Sequence, residues 1–105
     1  MGQEQILSQN IIMIELRTED DVKNLIEDYG YEDIIIFSNP DYASAFVGIS
    51  EDIRAVYDYD KMIKFLMNEH DMSDIEAVEF IEFNTIRALP YFENAPIIIY
   101  NLVSE

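Results

Sequence analysis

Apolar positions in this chain alternate between helical stripes and short β-branched runs. In "TEDDVKNLIEDYG", Val22, Leu25, Ile26 and Tyr29 recur at the i, i+3, i+4, i+7 spacing that lines one helical face. Thr18, with Asp21 three residues on, predicts the N-terminal cap, and Gly30 suits a left-handed stop. A second helix is predicted over 61–70 with Asp60 as its cap. Met62, Ile63, Leu66 and Met67 cluster on one side, and Lys61, Lys64 and Asn68 lie opposite. Ser73 and Glu76 predict a capping box for a third helix, whose buried stripe is Ala77, Phe80, Ile81 and Asn84, flanked by Val78.

The remaining apolar runs read as strands. These are "IIMIEL" (11–16), "DIIIFSNPDY" (33–42, ending in the Asn39-Pro40-Asp41 turn) and "APIIIYNLV" (95–103), which tolerates Pro96 near its start. Between them, 45–49 and 54–57 form a hairpin about a turn at 50–52. This order predicts a single α+β domain over 1–105, with a mostly antiparallel sheet of four to five strands packed by three helices.

Composition fits that reading. A chain of 105 residues that is 50% hydrophobic, with 3 Gly and 3 Pro, suffices for one modest core. No apolar run reaches the roughly 18 residues of a membrane span. "MGQEQILSQN" lacks the basic and apolar stretches of a signal peptide, so a soluble cytoplasmic protein is expected. The charge changes the picture more. With 22 Asp and Glu against 6 Lys and Arg, the net charge is -16, a field that repels nucleic acid and anionic membrane and attracts basic surfaces. The acid serves solubility, or it fits the domain to a cationic groove on another protein.

The inventory for catalysis is thin. Cysteine is absent, and His70 is the one histidine, expected to be partly buried at a helix end. There is no phosphate-binding glycine loop and no calcium loop. Asp58 with Asp60, and Glu79 with Glu82, are carboxylate pairs of a kind that 22 acids produce by chance; Asp58-Tyr59-Asp60 has a simpler use as the strand-to-helix turn. No catalytic residue, metal site or cofactor is therefore expected. An enzyme would need a pocket converging on Asp58, Asn84 and Arg87.

Acidic faces are the stronger candidates. Glu76, Glu79 and Glu82 are spaced along one arc of the third helix, and Asp20, Asp21, Glu27 and Asp28 fill the solvent side of the first. Three carboxylates over six residues give one charge per ~4.5 Å of helix, against one per ~1.7 Å for duplex DNA. A single helix is too sparse to imitate nucleic acid, and mimicry would need elements side by side. Tyr42, Tyr59, Tyr91 and Phe92 fall in turns, and exposed aromatics beside acids suit protein interfaces. In "NTIRALPYFENAPIIIY", Asn84 is expected to bond the following backbone and Arg87 to neutralise nearby acid. Pro90 breaks the helix, and together they make a joint between the third helix and the last strand.

"NPDYASAFVGIS", "RAVYDYDKMIKFLM", "DMSDIEAVEFIEFNTIRALPYF" and "APIIIY" together resemble a family of small phage and prophage proteins of gut Firmicutes. The resemblance covers residues 33–105 and not 1–32. The family commonly has Gly in the hairpin turn where this chain has Ile53. No activity or catalytic residue is assigned to the family, so the resemblance transfers none. It implies a mobile-genetic-element setting, and small acidic proteins of that setting include anti-CRISPR inhibitors of type II RNA-guided nucleases. The expected partner is thus a basic surface of a host protein, such as a CRISPR effector nuclease or its guide-RNA complex. Direct nucleic-acid or membrane contact is not expected. The alternative is an accessory protein that binds another host protein or itself.

Overall fold

The helices begin close to where the sequence places their caps. A computed structural model describes residues 15–103, so the predicted strand at 11–16 lies almost wholly outside the described residues. In α1 (Glu19–Asp28) the Thr18 hydroxyl accepts from the Asp21 N–H, and the Asp21 carboxylate accepts from the Thr18 N–H, closing the expected capping box. The far end closes on Gly30 at φ +89°, with Gly30 N–H donating to the Glu27 carbonyl and Tyr31 N–H to that of Ile26. That paired pattern satisfies the last carbonyls of the helix.

Two short strands, β1 (Phe46–Ile49) and β2 (Ala55–Asp58), form the expected hairpin, and β2 runs into α2 (Tyr59–Glu69) without a loop. The helix therefore starts earlier than predicted. Its cap is the buried Asp58, which accepts from the Lys61 N–H, and Asp60 sits exposed in the first turn. The third helix, α3 (Asp74–Phe80), begins at the predicted Ser73–Glu76 capping box.

After α3 the backbone widens into a π turn (Ile81–Thr85), then tightens into a 3-10 segment (Ile86–Tyr91) that contains Pro90. Proline has no N–H to give and its ring crowds the carbonyl four residues back, so an α-helix cannot continue through it. The last strand among the described residues is β3 (Ile97–Ile99).

The sheet is smaller and more mixed than predicted. Among the described residues it has three strands in the order β1-β2-β3, with β1 antiparallel and β3 parallel to β2, rather than a mostly antiparallel set of four to five. The segment 33–42 forms no ladder. Left-handed residues bracket it at Asp33 (φ +60°) and Asn39 (φ +56°), the latter preceding a cis peptide bond to Pro40. The Phe37 N–H donates to the Tyr57 hydroxyl at 3.2 Å instead of to a neighbouring strand. Ile34, Ile36 and Phe37 pack on the core.

The core gathers between α1, α2, α3 and the sheet. Val22, Tyr42, Tyr57, Met62, Leu66 and Ile81 are its largest fully buried side chains, with Ala43, Ala45, Ala55 and Ala77 allowing close approach. The Phe37 and Phe46 rings stand 4.6 Å and 5.6 Å from that of Tyr57. Tyr42 was expected on the surface, but its left-handed backbone (φ +47°) turns the ring inward between Phe37 and Phe65. The loop 38–41 is tied to α1, because Asp41 accepts from the Glu19 N–H and the Ser38 hydroxyl donates to Glu19.

Two expected outcomes follow from this frame. Ile53 closes the hairpin at φ +62°, its N–H donating to the Ser50 carbonyl, and a β-branched residue in this region is strained by about 1–2 kcal/mol. Ile53→Gly should therefore raise stability by about 1 kcal/mol in a denaturant titration; a loss would show that the half-exposed side chain packs more than it strains. Burial raises the Tyr57 phenol from its ordinary value of 10.0 to about 12. The folded chain thus binds that proton more tightly than the unfolded one, so the contribution is intact below pH 10 and lost as pH rises towards 12. Melting temperature should fall across that window, and Tyr57→Phe should flatten the fall.

Candidate functional site

Acid on this protein serves two different purposes. Some carboxylates are internal fasteners. Asp21 accepts from the Arg17 and Thr18 N–H groups at 2.8 Å and 3.0 Å, and these bonds hold its carboxyl below the usual aspartate value. Glu76 likewise accepts from the Ser73 N–H at 2.8 Å, while Asp58 and Asp41 are engaged by backbone as described above. Asp20, Glu27, Asp28, Glu79 and Glu82 are exposed.

Of the three acids expected along one arc, Glu76 and Glu79 lie on α3 and Glu82 in the turn that follows it, and all three are exposed. Glu76 and Glu79 border an open depression with His70 and Asp71 at the end of α2. Glu82 falls in the π turn and comes close enough to Tyr59 to add to the rise in its phenol pKa, after burial and Tyr100. The Tyr59 and Tyr100 rings stack at 4.7 Å. His70 was expected to be partly buried. It is exposed as the C-terminal cap of α2, with its ring 5.7 Å from that of Phe65. Among the described residues, no group of three or more His, Cys, Asp or Glu is placed to hold a metal ion, and no helix is long and apolar enough to cross a membrane.

A second region is more organised. The π turn inserts one extra residue, with the Ile86 N–H donating to the Ile81 carbonyl five residues back. Every later position is rotated by one place, so Thr85 rather than Asn84 continues the stripe of Ala77 and Ile81 into the core. Thr85 is buried, and its hydroxyl meets that of Tyr42 at 2.8 Å. Asn84 is exposed and its amide donates back to the Phe80 carbonyl at 3.2 Å, not forward to the joint. Arg87 lies over the Phe83 ring, 4.3 Å from its centroid, a cation–π contact in place of the expected partner acid.

A cleft of ≈ 340 Å³ opens between this joint and the segment 35–40. Phe37, Leu89, Phe92 and Pro96 supply apolar walls, and Ser38, Asn39, Asn84 and Thr85 supply polar groups. Asp58 and Arg87 do not line it, so the convergence of Asp58, Asn84 and Arg87 is not formed. Phe92 lies at the rim, and it and the neighbouring Tyr91 are 58% and 86% exposed, as the sequence suggested for both. The role of Thr85 was missed because a regular helix points Asn84 inward. Pro90, a few residues on, was the available sign that the helical phase would not hold.

The pair Tyr42–Thr85 is separable from Asn84 by mutation. Thr85→Val leaves a buried tyrosine hydroxyl unpaired and should cost about 1–3 kcal/mol, whereas Asn84→Leu should stay within about 0.5 kcal/mol of the parent. Adding Tyr42→Phe to Thr85→Val should restore much of the loss, since neither partner is then unsatisfied. Strictly additive losses in chemical denaturation would refute the coupling. No protein-family model, curated protein or solved structure matches the chain.

Proposed function

We propose that this protein acts by binding, as an inhibitor that places its acidic surface on the basic nucleic-acid channel of a type II RNA-guided DNA nuclease. The observation that carries the reading is the net charge of -16 on a small α+β scaffold whose acids are only partly consumed by capping. Asp20, Glu27 and Asp28 on α1, with Glu79 on α3 and Glu82 in the π turn after it, remain exposed for a cationic partner. Guide and target of such nucleases lie in positively charged channels, and opposed fields accelerate encounter. The phage-family resemblance of residues 33–105 supplies the setting.

A second reading is that the partner is another host protein. It is favoured by the exposed Tyr91, Phe92 and Tyr100, since aromatic residues are enriched at protein interfaces.

The test is target cleavage by a type II nuclease with increasing amounts of the purified chain, with and without guide RNA. Inhibition is expected, and it should weaken as ionic strength rises from about 0.1 M to about 1 M, where screening shortens from about 10 Å to about 3 Å. Charge reversal at Glu79, Glu82, Asp20 and Glu27 together should weaken inhibition by ~10-fold or more with the melting temperature unchanged. Glu76 and Asp21 are left intact because they fasten helix caps. Undiminished cleavage across several nuclease orthologues would end this reading.

A further inference from the structure

Among the described residues, β3 is an edge strand, paired to β2 along one side only. Edge strands are usually guarded by charge, proline within the strand, or a bulge. Here the strand is Ile97-Ile98-Ile99, followed by Tyr100, which is 59% exposed. Beside it runs an open groove of ≈ 490 Å³ of mixed polarity, with Leu89, Pro90, Phe92, Pro96, Ile98 and Tyr100 among its walls. The groove shares Leu89, Phe92 and Pro96 with the cleft between the joint and 35–40, so the two adjoin at these side chains.

We infer that this edge and cleft together receive an extended, lysine- or arginine-bearing segment of a partner protein, which adds a strand to β3 and seats one apolar side chain in the cleft. Main-chain bonds to an open edge supply affinity, and a pocket for an alternate side chain supplies selectivity. Charge decides between occupants. A second copy of the chain would bring another -16 against the first, and like fields repel. A cationic segment gains instead, because Asp60 and Glu82 lie near the Tyr59–Tyr100 stack that ends the groove. Arg54 at the groove is bonded to the Ala95 carbonyl and paired with Asp52, so it is already engaged. The inference shares only the cationic partner with the proposed function, and it names main-chain recognition where that reading names surface charge.

The experiment titrates the isotopically labelled full chain by amide NMR with a short peptide alternating lysine with valine around a central phenylalanine. Shifts at Ile97, Ile98, Ile99 and Tyr100 are expected, with a second set at Thr85 and Phe92. A peptide of the same sequence, methylated on the amide nitrogens of one edge and then of the other, should bind at least ~10-fold more weakly in one of the two forms, the equivalent of a lost hydrogen bond. Phe92→Ser should weaken the parent peptide by a similar factor while leaving the melting temperature unchanged. Shifts confined to the acidic faces, indifference to both methylations, or no binding would overturn the inference. So would slow hydrogen exchange at the outward amides of β3 in the free chain, which would mean that the edge is already covered by the chain's own N-terminal residues or by a second copy. No nuclease enters the assay, so failure of the inhibitor reading leaves this result standing, and the converse.

Discussion

The hydroxyls of Tyr42 and Thr85 meet at 2.8 Å in the interior, and each holds in place a stretch of backbone that is otherwise unfavourable. Tyr42 sits in a left-handed conformation that costs a non-glycine residue free energy. Thr85 ends a π turn that departs from the ordinary helical ladder. Neither distortion persists without compensation from packing and from the bond itself. The consequence spreads outward from there. The inward ring of Tyr42 contacts Phe37 and Phe65, and so brings together the loop before β1 and the middle of α2. The rotated helical phase at Thr85 sets where Asn84, Arg87 and Phe92 emerge on the surface. The cleft is the gap left between these two distorted stretches.

Carboxylates provide the second constraint. A chain with 22 acids in 105 residues repels itself, and the fold answers by giving several of them backbone N–H partners. Asp21, Asp41, Asp58 and Glu76 all accept such bonds at helix or turn starts, where the orphaned donors and the helix dipole favour negative charge. Two of them, Asp21 and Glu76, look in one dimension like part of a surface for a partner. The structure shows them fastening local backbone instead.

How legible the molecule was in its sequence depended on whether the signal was local. The caps at Thr18 and Ser73, the stop at Gly30 and the hairpin all rest on contacts between near neighbours, and they were readable. The cap of α2 was misplaced by two residues because β2 continues straight into the helix, so the strand's last residue does the work assigned to Asp60. The run 33–42 has the composition of a strand, yet a tyrosine hydroxyl from β2 takes one of its amides and left-handed residues turn it away at both ends. The parallel pairing of β3, the inward turn of Tyr42 and the exchange of Asn84 for Thr85 all depend on residues distant in sequence. No periodicity argument reaches them.

Asp58 occupies three positions at once: last residue of β2, cap of α2, and register partner of Ile99. The first two are local and cost little chain entropy, so the hairpin and α2 can assemble early. The pairing to Ile99 closes a loop through α3, the π turn and the 3-10 segment, and long loops are slow to close. Strand β3 is then expected to be the last element to dock and the first to open in sub-global unfolding. The order of assembly thus keeps the isoleucine edge from existing until the remainder of the domain is in place.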